Sequence, residues 1–241
     1  MAIHNEGYEY SSNKLSRNQR HSFAAEFIRD ELKLDDSVFS HQDDCYYLNN
    51  HCHIENRGGH RYIRPSNCSK FILKQGKHLF SDYTWSYSYH GTASENVKNI
   101  ITYGLKIPGH TAGSMKVSVQ HGSIYGAGIY STKIPLYAQL YAPCIPWRGK
   151  YVQTIFMLRL NANKTQTVNA EGHYTAYMKG RTDIHLLYGG KIDYNEIQFM
   201  TPEDSAVVLH ALLVKVHDSD PDSAGGEYDK VAQILDGKIT N

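Results

Sequence analysis

The stretch Tyr87–Gly109, YSYHGTASENVKNIITYGLKIPG, decides how the chain is read. It sets a His-Gly pair, His90–Gly91, at the end of a run in which Tyr83, Trp85, Tyr87 and Tyr89 alternate with small polar residues. That period of two predicts a strand with one aromatic face. Thr92 and Glu95 then have the spacing of a capping box, and Val97, Ile100 and Ile101 form the apolar stripe of a short helix. Gly104 follows as a natural helix terminator. A strand that ends on His-Gly and turns at once into a helix puts a hydrogen-bonding side chain beside a residue whose backbone can be approached closely.

Working outward, Ser16 to Leu34 reads as a helix. Ser16 and Gln19 make a capping-box pair, and Phe23, Phe27, Ile28 and Leu32 fall on one face. The segment RGGHRYIRP, Arg57 to Pro65, reads as a turn feeding a short strand. Residues Gly109 to Tyr125 are rich in Gly, His and Ser and predict a long loop. In GAGIYSTKIPLYAQLYAP a turn and a brief strand precede a helical turn with Ile134, Tyr137, Ala138 and Tyr141 on one face. Tyr151 to Leu160 is the clearest strand, apolar enough on both sides to be covered twice. Residues Asn161 to Lys191 form a second long loop region, YNEIQFM and SAVVLHALLVKV are two further strands, and a linker with a short helix follows from Asp218.

Composition bounds the function. Hydrophobic residues make up 41% and charged residues 20% of 241, ordinary for a globular chain. No apolar run reaches the roughly 20 residues a membrane helix needs, so no membrane partner is expected. Net charge is +1, which argues against gripping nucleic acid by charge alone. The opening residues carry no positive-then-apolar signal pattern, so the expected location is intracellular, cytoplasmic or nuclear. Cys45, His51, Cys52, His53, His60 and Cys68 are all capable of holding zinc. Their only tight group is three adjacent residues, which in a strand point to opposite faces, and no metal is expected. The 19 tyrosines and 14 histidines suit a pocket for a flat polar ligand.

The motifs YHGT, IITYGL, YGAGIY, YAQLYA and YNEIQF, in this order, resemble the poly(ADP-ribose) polymerase family of NAD-dependent ADP-ribosyltransferases, with the diphtheria-toxin-type fold. The likeness spans about Tyr87 to Val216. RGGHRYIRP leading into HGT is similar to the upstream region of a divergent eukaryotic branch. The resemblance implies an α+β fold with two packed, antiparallel-rich sheets around an NAD cleft. It implies an N-terminal helical and loop-rich extension at 1–80, a catalytic domain at 81–217 and a tail at 218–241.

It also implies roles. His90 would bond ribose hydroxyls, Gly91 would present its backbone to the nicotinamide carboxamide, and Thr92 would cap the helix behind them. Tyr130 matches a cleft tyrosine, Tyr141 a tyrosine stacked on the nicotinamide ring, and Gly126 and Gly128 the tight approach to the Tyr130 strand. Glu196 matches the catalytic glutamate, a carboxylate that stabilises the oxocarbenium-like state formed as the nicotinamide–ribose bond breaks. Ala138 stands where the family has a serine bonding the carboxamide, which leaves that group to Gly91, or to Ser131 or Thr132.

The expected reaction is transfer of ADP-ribose, as single units, from NAD to a macromolecular acceptor, protein in preference to nucleic acid. NAD is the substrate. NAD hydrolysis uses the same cleft with water as acceptor. A pseudo-enzyme that binds ADP-ribose or a partner is a third reading, favoured by Ala138 and opposed by Glu196.

Overall fold

The computed structural model describes residues 14–48, 54–79, 81–117, 126–168 and 197–221. In chain order it contains α1 (Arg17–Asp30), β1 (Cys45–Tyr47), β2 (Ile54–Arg57), β3 (His60–Ile63), β4 (Cys68–Ile72), β5 (Trp85–Gly91), α2 (Val97–Tyr103), β6 (Thr111–Ala112) and β7 (Met115–Lys116). Then follow β8 (Ile129–Thr132), α3 (Pro135–Gln139), β9 (Ile145–Trp147), β10 (Lys150–Asn161), β11 (Gln166–Val168), β12 (Gln198–Thr201) and β13 (Val207–His217). The protein is α+β, and every strand pair described is antiparallel.

The expectation of two packed sheets needs correction. Nine of the described strands follow one hydrogen-bonded path, β1-β4-β13-β10-β5-β8-β12-β11 with β9 alongside β10, while β2-β3 and β6-β7 form two-stranded sheets of their own. That path narrows to a single residue pair, Tyr89↔Thr132, between β5 and β8. Beside this seam the His90 side chain takes over from the ladder, its Nδ1 meeting the Tyr130 carbonyl at 2.8 Å. Ahead of β5, β1 and β4 are strands of the same sheet.

A hairpin of β2 and β3 crosses the seam. The Ile63 N–H donates to the Lys133 carbonyl at 2.9 Å, just beyond β8. The Ile63 carbonyl accepts from the Tyr89 hydroxyl at 2.7 Å, on β5. His60 sets its ring edge against Phe199 of β12, with centroids 5.2 Å apart. One short strand thus ties together both sides of the narrowest point in the sheet.

Apolar cores lie on both faces, as the composition of β10 predicts. Val152, Phe156, Leu158 and Leu160 of β10 join Ala24 and Phe27 of α1 and Val97 of α2. Ile155 and Met157 join Tyr62, Tyr87, Tyr89, Ala138 and Ala142. The Ser16–Gln19 capping box forms in both directions, at 2.8 and 3.4 Å. Phe27, Ile28 and Leu32 are buried and Phe23 packs against the same core. Gly104 ends α2 with a left-handed backbone (φ 75°), its N–H on the Ile100 carbonyl.

The Thr92–Glu95 capping box does not form. A 3-10 turn over Ser94–Asn96 intervenes, so α2 starts at Val97 and Glu95 precedes the helix. Thr92 Oγ1 instead accepts from Asn96 Nδ2 at 3.3 Å. Tyr83 lies outside β5 and is exposed, with the Arg57 guanidinium 4.3 Å from its ring centroid.

Arg159 of β10 is fully buried. Its Nη2 donates to the carbonyls of Leu79 and Asp82, and its guanidinium lies 4.5 Å from the Tyr87 ring centroid. Carbonyl dipoles and a ring face stand here in place of a carboxylate, and burial lowers the pKa of the group. Nearby His210 of β13 is also buried, with Nε2 3.4 Å from the Tyr87 hydroxyl. Burial, and then the Arg159 charge, push its pKa down to about 3.

The fold therefore holds His210 neutral, whereas the unfolded chain protonates it below about 6.5. Its contribution is complete above that pH and is lost as pH falls toward 3, at up to roughly 1.4 kcal/mol per pH unit. Urea unfolding at pH 5 and pH 8 checks this. Wild type should lose about 2 kcal/mol more than His210→Gln on acidification; equal losses would show that His210 does not titrate through this window.

Candidate functional site

The seam between β5 and β8 is flanked by four of the site residues read from the sequence, His90, Gly91, Tyr130 and Tyr141. β5 ends on His90 and Gly91, which pair with Phe156 and Ile155 of β10. Neighbouring strand residues point to opposite faces, so the imidazole and the Gly91 surface serve opposite sides of the sheet. Across the seam β8 carries Tyr130, followed by α3 with Ala138, then Tyr141.

His90 is partly buried and has a defined role in hydrogen bonding. A carbonyl can only accept, so Nδ1 facing the Tyr130 oxygen carries the proton. Burial lowers the His90 pKa, with the Tyr130 hydrogen bond opposing that shift. The imidazole is therefore neutral near pH 7, and Nε2 offers a lone pair. That nitrogen can accept from a hydroxyl donor and cannot donate to one.

Gly91 is dictated by α3. A Cβ there would lie 1.8 Å from the Ala138 carbonyl oxygen and 3.1 Å from Tyr141 Cβ. The expectation that glycine serves a ligand's approach thus has a second, internal cause: the helical turn rests directly on the β5 backbone. The same Ala138 carbonyl accepts the Tyr141 N–H at 3.1 Å, so Gly91 seats the turn that carries Tyr141. Ala138 is itself 1% exposed, within the core formed by Tyr89 and Ile155. Of the alternative donors, Thr132 is engaged, donating to the Ile197 carbonyl at 2.9 Å and accepting from the Ile134 N–H. The Ser131 hydroxyl is buried and has no hydrogen bond within the described residues.

Tyr141 is partly buried, its hydroxyl donating to that of Tyr137 at 3.4 Å with the rings edge to face. Tyr130 is also partly buried and donates from its hydroxyl to the Gly126 carbonyl at 2.9 Å, closing the turn ahead of β8. Gly128 lies within that turn, where a Cβ would meet Met200 of β12 at 2.5 Å. Thr92 is buried one residue beyond Gly91. Glu196 lies outside the described residues, which resume at Ile197, and so do 118–125 of the Gly-rich loop and 169–191 of the second. His51, Cys52 and His53 also fall outside them; Cys45 and Cys68 stand on β1 and β4, with burial pushing the Cys68 thiol up to about 12.

One contributor escaped the sequence reading. Gln153 of β10 is buried under α3 and reaches the backbone of that turn. Its signal was a polar residue in a largely apolar strand, shared there with Thr154 and Arg159. The chain matches no protein-family model and no curated protein sequence. Among the described residues no helix is long and apolar enough to cross a membrane.

Gly91→Ala tests the packing directly. Its methyl group would drive into a backbone carbonyl, which no side-chain rotation relieves, so stability should fall by roughly 1–3 kcal/mol or more. Denaturant unfolding reads this. A variant as stable as wild type would mean that α3 does not rest on Gly91.

Proposed function

We propose that the chain is an NAD-dependent ADP-ribosyltransferase with the diphtheria-toxin-type fold, which transfers single ADP-ribose units to a macromolecular acceptor and releases nicotinamide. The observation that carries this reading is the placement of His90 against Tyr130 and of Gly91 against the turn of Tyr141 along one seam of the sheet. They come from three motifs, YHGT, YGAGIY and YAQLYA, and no periodic pattern requires these to lie side by side.

Each has a chemical task in this reading. The His90 Nε2 lone pair accepts from a ribose hydroxyl. Gly91 would present its backbone to the nicotinamide carboxamide, and the Tyr141 ring would offer a face to the partly positive nicotinamide. Loss of nicotinamide leaves positive charge on the ribose, and the carboxylate of Glu196 supplies the opposing charge. A net charge of +1 favours a protein acceptor over nucleic acid.

Calorimetric titration with NAD tests the proposal. His90→Ala removes a hydrogen bond and Tyr141→Ala a stacking face, each contributing about 0.5–1.5 kcal/mol. Each variant should therefore bind NAD up to roughly tenfold more weakly than wild type. Unchanged affinity in both would rule out NAD at this seam.

A further inference from the structure

We infer that Gln153 is a positioning residue, setting the α3 turn so that Tyr141 stands in register with Gly91. The inference rests on the NAD reading above and extends it to a residue that touches no substrate.

Gln153 is 2% exposed and lies near the middle of the sheet. Its Nε2 donates to the Gln139 carbonyl at 2.8 Å and also to the Ala142 carbonyl. These carbonyls belong to the C-terminal end of α3 and the turn after it; that of Gln139 also accepts the Ala142 N–H at 3.1 Å, so the amide adds a second hydrogen bond there. Tyr141 lies between them. Directly across the ladder from Gln153 stands Lys215 of β13, whose ammonium donates to the Gln139 side-chain carbonyl at 3.2 Å. Neighbouring positions of two central strands thus hold both the backbone and the side chain of Gln139.

The opposite support is Gly91. It pairs with Ile155, two residues along β10 from Gln153 and therefore on the same face. The turn is pressed against the Gly91 backbone at Ala138 and drawn to the sheet by the Gln153 amide at Gln139 and Ala142. A short helix of Pro135–Gln139 has little stability of its own, so these two supports fix where the Tyr141 ring stands.

A double-mutant cycle on NAD affinity tests this. Gln153→Met keeps the length of the side chain and removes both donors. Gln153→Asn keeps an amide one methylene too short to reach, and serves as the milder variant. Either should weaken NAD binding by up to about tenfold when Tyr141 is present. In a Tyr141→Ala background the same change should cost less than about twofold, because a residue acting through Tyr141 couples to it. Hydrogen exchange of the Tyr141 and Ala142 amides should quicken in Gln153→Met without added NAD. An equal loss in both backgrounds, or no loss in either, would overturn the positioning role while leaving the NAD reading intact. Failure of wild type to bind NAD would overturn that reading, and the positioning role with it.

Discussion

Tyr89 and Thr132 form the single pair that joins the two parts of the sheet, and the arrangement around it follows from that thinness. A ladder of one pair cannot hold two blocks of strands by itself. The chain reinforces it with side chains: His90 takes the Tyr130 carbonyl, and the Tyr89 hydroxyl takes Ile63. The β2–β3 hairpin bridges the rest, reaching Lys133 and Phe199 beyond the seam. The same narrowing explains the need for a strap.

Two buried polar residues of β10 make this possible in different ways. Arg159 anchors the chain entering β5, through the carbonyls of Leu79 and Asp82, and spreads its charge over Tyr87. Gln153 anchors the turn leaving α3. In a core this apolar each would be costly without partners, and each donates to two backbone carbonyls. The longest strand of the sheet thus serves as the beam from which the segments flanking the seam are suspended.

Local features were legible in the sequence. The Ser16–Gln19 box, the Gly104 stop and the doubly covered β10 depend on spacing alone, and each appears as expected. The Thr92–Glu95 pair has the same spacing and fails, because a 3-10 turn delays the helix until Val97. Tyr83 fits the aromatic alternation but falls before the strand, where stacking on Arg57 is available instead. Joining two expected sheets into one path needs pairing between distant strands, which periodicity does not encode. Gly91 was recognised as special, but the carbonyl that demands it comes from a residue 47 positions later in the chain, Ala138. Gln153 showed only as a polar interruption; its partners become visible once α3 is placed over it.

Bond breakage itself is the most direct measurement. NAD carrying label in its adenosine half is incubated with the protein and a cell lysate, and nicotinamide release and protein-bound label are followed together. Wild type is expected to move label onto protein as nicotinamide appears. Glu196→Gln, which keeps size and removes charge, should slow this by about 10²–10³ while still binding NAD. Label found only as free ADP-ribose would replace transfer with hydrolysis. No nicotinamide released by wild type, or turnover by Glu196→Gln at the wild-type rate, would contradict the proposed chemistry at this site.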